Sequence, residues 1–303
     1  MLIQDIEYYL AMRRSAGFGL NTQEYTLRNY AAFAEERHDS YVTVDTAVEW
    51  AGRVPTQYRK AVRLAVITHF ARFMKAQDER YEIPPDGVFP RCQTRRVPYI
   101  YSDSEIEALI DQSRRLTPKG SLRPHTYATL LGLLAATGMR ISEALALRLD
   151  DLTRDGLIIR ETKFKKSRII PLHETTVSAL QEYLSHRLRL GGSDPYLFVS
   201  QKRERISYIT VGLVFRQICD AAGVVGAPGG PHPILHSFRH TFTTRSLESC
   251  ACNRNRVDRH MRALTTYLGH ARIESTYWYL ESTPQLMHDI ADVFETFVKG
   301  DPE

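Results

Sequence analysis

The chain has 303 residues, 40 lysines and arginines against 35 aspartates and glutamates, a formal net charge of +5 and an isoelectric point near 9.0. That length accommodates two domains, each able to bury its own core, and the mild basic surplus permits an anionic partner without specifying one. The four cysteines, Cys92, Cys219, Cys250 and Cys252, show neither CxxC spacing nor an extracellular disulfide pattern, which argues against zinc and structural disulfides and for reduced thiols in a cytoplasm.

In chain order, the first residues, MLIQDIEYYLAMRRSAG, interrupt their apolar positions with charge and carry no sorting signal, and no apolar run anywhere is long enough to cross a bilayer. The reading is of a soluble chain. The segment TLRNYAAFAEE places Leu27, Tyr30 and Phe33 on one helical face, and YRKAVRLAVITHFARFMKAQ places Val62, Val66, Phe70 and Phe73 on another, with Arg59, Lys60, Arg63 and Arg72 elsewhere on that helix. Residues 1–81 are therefore expected to form a small helical domain. Pro84, Pro85, Pro90 and Pro98 remove backbone donors and disfavour helix before them, so 82–101 reads as an extended linker. Ser102 with Glu105 has the spacing of a capping box and opens a second domain, 102–303.

In that domain TYATLLGLLAATG reads as an apolar helix stopped by Gly138, and a further helix begins at Arg140 with Ile141, Leu145 and Leu149 facing the core. GLIIRETKFKKSRIIPL reads as two β-branched strands around a basic turn. Helices resume at TVSALQEYLSHRL, ITVGLVFRQICDAAG, HSFRHTFTTRSLE and VDRHMRALTTYLG, and PQLMHDIADVFETFVKG carries Leu286, Ile290, Val293 and Phe297 along one stripe of a last helix. The fold class is mainly α with a small β-hairpin, in two domains.

Taken singly, the candidate functional residues have ordinary explanations. Arg140 follows a helix stop; Lys163 sits in a charge run with Lys165, Lys166 and Arg168; His236 and Arg239, three apart, share a helix face while His240 points elsewhere. His270 follows Gly269, nine residues before Tyr279. Their order and spacing together, in TGMRISEALALRLDDL, TKFKKSRIIPL, HSFRHTF and YLGHARIESTYWYL, resemble the tyrosine recombinase, or phage integrase, family over roughly residues 100–285. The helical N-terminal part matches that family's core-binding domain in size and style only.

The resemblance implies that Tyr279 is a nucleophile, that Tyr277, two residues away, points to another face, and that Tyr267 and Trp278 pack. It implies Arg140 and Arg239 on the non-bridging oxygens of a DNA phosphodiester, where a forked guanidinium donates two hydrogen bonds that lysine cannot reproduce. His236 would be base or hydrogen-bond partner to the tyrosine, His270 a phosphate contact and Lys163 the general acid for the departing 5′-oxygen. Glu143, one turn after Arg140, would orient that guanidinium. The product would be a 3′-phosphotyrosyl linkage that stores the ester energy, so no ATP, metal or other cofactor is expected. Double-stranded DNA sites, a homotetramer on paired sites and related recombinases are the implied partners, in a bacterial cytoplasm. The phrasing of the last motif is similar to recombinases of mobile elements.

The segment between Arg239 and His270 is longer than in compact members and contains a polar NRNRVDRH stretch, read as a loop or a contact to a neighbouring protomer. Two other functions compete. An accessory DNA-binding protein of this fold would lack the nucleophile or an arginine, and a type IB topoisomerase shares the arginine, lysine and tyrosine logic; HxxR with GH favours recombination. No clustered carboxylates point to a metal-dependent nuclease.

Overall fold

Leu2, Ile6, Tyr9 and Leu10 recur at helical spacing, and all four are buried in helix α1 (Leu2–Ser15) of the computed structural model. It describes residues 2–90, 97–160, 167–189, 194–249 and 254–269. Beside α1 lie α2 (Asn21–Glu36), α3 (Val44–Gly52) and α4 (Gln57–Lys75). Thr43 and Thr56 start α3 and α4 by accepting the amides of Thr46 and Arg59 on their hydroxyls, the usual remedy for unpaired donors at a helix start. The four helices enclose a core of Ile6, Leu10, Leu27, Tyr30, Trp50, Ile67 and Phe70. Tyr30 meets Trp50, and Tyr9 meets Phe70, edge to face with ring centroids 5.4 Å apart.

Leu27, Tyr30 and Phe33 are buried together as expected. The apolar face expected of α4 holds in part: Phe70 is buried, and Val66 and Phe73 pack partly buried against the core. Val62 is 44% exposed, and the buried face runs through Ala61, Leu64, Ile67, Phe70, Ala71 and Met74. Two apolar stripes run along this helix, and the one with the small alanines allows the close approach of α1, α2 and α3. Beyond α4, Glu82 receives the Val44 amide on its carboxylate at 2.7 Å, and its own amide donates to Val42 O at 2.9 Å.

The chain divides into two compact units, Met1–Arg95 and Arg96–Glu303. In the second, Ser102 and Glu105 form the expected capping box of α5 (Asp103–Arg114). Next come α6 (Leu122–Thr137), the single turn α7 (Ile141–Ala144), and strands β1 (Leu152–Thr153), β2 (Gly156–Ile159) and β3 (Arg168–Ile170). Then follow α8 (Glu174–Arg189), α9 (Tyr208–Ala222), α10 (Leu235–Glu248) and α11 (Arg254–Leu268). The strands form an antiparallel sheet in the order β1-β2-β3, with Ile159 opposite Arg168 and Leu157 opposite Ile170. The strand expectation holds with one addition, β1; the turn between β2 and β3 lies outside the described residues.

Apolar helix α6 is central and packs against α5, α8 and α10. Its Leu130, Leu131, Leu133 and Leu134 join Leu157, Ile159 and Ile170 of the sheet in one core. The helix expected from Arg140 is only the one turn of α7, although Ile141 and Leu145 are buried and Leu149 partly so, as expected. Met261, Leu264 and Leu268 of α11 pack on Leu247 and Phe242 of α10. Among the described residues no helix is long and apolar enough to cross a membrane. The expected last helix, with Leu286, Ile290, Val293 and Phe297, lies outside them.

Candidate active site

Helix α6 ends where Gly138 turns into the left-handed region, φ +59°, its amide donating to Leu134 O at 2.9 Å. Only glycine suits the position: a Cβ there would lie 2.5 Å from Cδ1 of Phe242 and 2.9 Å from its Cβ. The reversed chain brings Arg140 to the start of α7 in extended conformation. Its amide donates to Glu143 Oε2 at 3.0 Å and its Nη1 to Glu143 Oε1 at 2.9 Å. The expected Arg140–Glu143 pair is therefore present.

Arg239 reaches the same place from α10. Its side chain is fully buried, donating from Nη1 to Gly138 O at 3.0 Å and from Nη2 to Leu268 O at 2.6 Å. Arg140 also approaches the end of α11, with Nη1 3.4 Å from Leu268 O and Nη2 3.4 Å from Gly269 O. Two guanidiniums from distant parts of the sequence thus share one carbonyl, next to the glycine that precedes His270 in the chain. Helix α10 is fixed in turn by Tyr101, which stacks on Phe238 and donates its hydroxyl to Ile234 O at 3.0 Å.

His236 lies one turn before Arg239 and is exposed to solvent. The surrounding protein, then the charges of Arg239 and Arg140, lower its pKa below the ordinary imidazole value, so the ring is neutral at pH 7 and able to accept a proton. His240, expected to point elsewhere, instead lies one turn on along the same face, edge to face with His236 at 4.7 Å, and is pushed down to about 4 by burial and then by His236 and Arg239.

Arg168 is an unexpected member of the site. Read from sequence as one charge of a solvated run, it is 12% exposed and donates from Nη2 to Glu143 Oε2 at 2.7 Å, from Nη1 to Glu143 Oε1 at 3.2 Å and from Nε to Tyr267 O at 2.7 Å. The signal available was strand alternation, which puts Arg168 on the same side as buried Ile170 and opposite exposed Ile169. Burial would push the Glu143 carboxyl up, but hydrogen bonds from Arg168 and the Arg140 amide outweigh it and hold the group below the usual carboxylate range. Arg140 and Arg168 both hold this one carboxylate, Arg239 meets Arg140 at Leu268 O, and the positive surplus of three guanidiniums suits an anion.

Of the expected site residues, Arg140, Glu143, His236 and Arg239 come together here, whereas Lys163, His270 and Tyr279 lie outside the described residues, as do Tyr277 and Trp278. Tyr267 is described and packs, stacked on Phe242 with centroids 5.5 Å apart. Burial pushes its hydroxyl up to about 12, so it stays protonated and is a poor nucleophile.

Residues 101–285 match the model of the phage integrase family. The y4rB protein of Sinorhizobium fredii, an integrase/recombinase by its description, is 36% identical over 297 residues, covering 94% of each chain. The crystal structure of the XerH site-specific recombinase in a post-cleavage complex with palindromic difH substrate aligns over 91% of this chain and 80% of that one, with a TM-score of 0.67 and 20% identity. A lambda integrase tetramer bound to a Holliday junction aligns over 89% and 77%, with a TM-score of 0.61 and 16% identity.

Proposed function

The chain belongs to the phage integrase family of tyrosine-type site-specific DNA recombinases, and from that membership we propose how its residues divide the work of breaking and rejoining DNA. Tyr279 attacks the scissile phosphorus, Arg140 and Arg239 bind the non-bridging oxygens, and the oxygen that leaves is the 5′-oxygen of the next nucleotide. The single observation that carries this reading is the meeting of Arg140 and Arg239 at the Leu268 carbonyl. Two forked donors there would neutralise charge gathering on a pentavalent phosphorus without rearranging, which is where preorganised donors act most strongly.

Tyrosine, with a pKa of about 10, must lose its proton as it attacks. Neutral His236 is the acceptor or hydrogen-bond partner, and His270, two residues after Leu268, contacts the phosphate. Lys163, between β2 and β3 in the sequence, donates a proton to the departing 5′-oxygen. The 3′-phosphotyrosyl ester keeps the bond energy, and a 5′-hydroxyl of a second duplex attacks it, re-forming the phosphodiester and freeing Tyr279. No cofactor or metal enters this cycle.

The partners are two duplex sites and further copies of this chain, four in the working assembly, with residues 1–81 as a DNA-binding domain and 102–303 as the catalytic domain, joined through 82–101. The Holliday-junction tetramer of lambda integrase supports the stoichiometry. We place the protein in a bacterial cytoplasm, on nucleoid DNA, serving the integration, excision or transposition of a mobile element. The test is to incubate the purified chain, in chelator, with fragments flanking its own gene and to sequence the ends held in denaturant-resistant adducts. Adducts on a 3′-phosphate at one recurring sequence are expected; free nicks, or cleavage that appears only on adding magnesium, would contradict the reading.

A further inference from the structure

Glu143 has two oxygens and receives four donors: Arg140 Nη1 and Arg168 Nη1 at Oε1, the Arg140 amide and Arg168 Nη2 at Oε2. The other contacts of Arg140, to the carbonyls of Leu268 and Gly269, are 3.4 Å long and weak. The direction of the Arg140 guanidinium is therefore set by Glu143. Glu143 is set in turn by Arg168, whose two prongs close on both carboxylate oxygens at 2.7 and 3.2 Å and whose third donor is anchored on Tyr267 O. The same anchor holds the last turn of α11, whose next carbonyl, Leu268 O, is shared by Arg140 and Arg239.

We propose that Arg168 is a positioning residue for DNA cleavage, holding Glu143 so that Arg140 faces the scissile phosphate, and tying strand β3 to the chain segment that leads to His270. The proposal rests on the reading of Arg140 as a phosphate-binding group and deepens it. Arg168 does not itself touch the phosphate. Removing it should slow the chemical step without weakening DNA binding comparably, and its effect should pass through Glu143.

The test uses the full chain and a nicked duplex carrying the sequence recovered from covalent adducts of the unaltered protein, with protein saturating and cleavage followed over a single turnover. Arg168→Met should slow adduct formation about 10- to 100-fold, the range typical of an outer partner of a reactive group, while affinity for the duplex changes less than about threefold. Added to Glu143→Gln, Arg168→Met should cost less than about threefold more, because both break one chain of contacts. A substrate with sulfur at the 5′-bridging position, whose leaving group needs no proton, should leave the Arg168→Met defect in place while relieving that of Lys163→Ala. Independent factors that multiply, or a defect cured by the bridging sulfur, would overturn the proposal. If Arg168→Met melts below the assay temperature, Arg168→Lys is read instead. It keeps the charge but not the fork, so cleavage at the unaltered rate overturns the proposal and a slowed step at unaltered affinity supports it. Arg140→Met cleaving at the unaltered rate would overturn the underlying reading and the proposal with it. Strong dependence on Arg140 with multiplying factors for Arg168 and Glu143 would overturn the proposal alone.

Discussion

A lysine at position 140 or 239 would carry the same charge as arginine but offer a point donor where the geometry calls for a fork. Arg239 has one prong on Gly138 O and one on Leu268 O, and Arg140 is gripped by Glu143, so each guanidinium is held in plane before any phosphate arrives. Arg140→Lys and Arg239→Lys should each slow single-turnover cleavage by about 10²-fold or more, since a preorganised transition-state contact is lost; a change under about threefold in either would contradict their assigned roles. The two histidines have a second consequence. His240 titrates near 4 in the folded chain against an ordinary 6.5, and His236 is shifted the same way. Between those values the unfolded chain binds the proton and the native chain does not, so stability should fall as pH drops from 6.5 toward 4 and stay flat above it, with His240 contributing at most about 3 kcal/mol. Denaturant unfolding across this window should give a shallower slope for His240→Gln; an unchanged slope would show that His240 is not the titrating group. At this scale Arg140, His236 and Arg239 were legible because the spacing of charged residues survives in the sequence. Arg168 was not, because a charge run does not reveal which member turns inward until strand β3 fixes the alternation.

Secondary-structure elements deliver these groups, and one glycine joins two of them. Gly138 ends α6, occupies a left-handed conformation, leaves no room beside Phe242 of α10 and offers its carbonyl to Arg239. Gly138→Ala should therefore destabilise the second unit by about 2 kcal/mol or more, from backbone strain and the collision with the near end of the Phe242 side chain. It should also slow cleavage, because Arg239 loses a fixed partner. Thermal unfolding and single-turnover rates measured together check this; full stability with full activity would contradict the described packing. Helices with one strong apolar stripe, such as α2, and helices with a cap signal, such as α5, could be read from sequence. Helix α4 was legible only in part: Phe70, Val66 and Phe73 meet the core as expected, but contact with α1, α2 and α3 selects a face that buries Ala61 and Ala71 and leaves Val62 exposed. The helix at Arg140 shrank to a turn because the chain leaves it at Leu145 to bring Leu147 and Leu149 alongside residues 195–197, where Leu197 N donates to Leu147 O at 2.7 Å and Leu149 N to Pro195 O at 2.9 Å.

For the whole molecule the proposed cycle needs two duplexes and several protomers, so something must couple one active site to another. The stripe of Leu286, Ile290, Val293 and Phe297, directly after Tyr279 in the sequence, is our candidate for docking on a neighbouring protomer. A chain ending after Thr283 should bind one DNA site with normal affinity, pair two sites poorly and cleave abnormally. Normal synapsis and a full recombination rate in gel-shift and product assays would remove this segment from the coupling. The identity of the nucleophile is the claim on which all else depends, and two tyrosines two residues apart decide it. Tyr279→Phe and Tyr277→Phe, assayed separately for denaturant-resistant protein–DNA adducts on a nicked suicide duplex, should give none for the first and adducts for the second. Adducts that persist in Tyr279→Phe and vanish in Tyr277→Phe would contradict the assignment of the nucleophile.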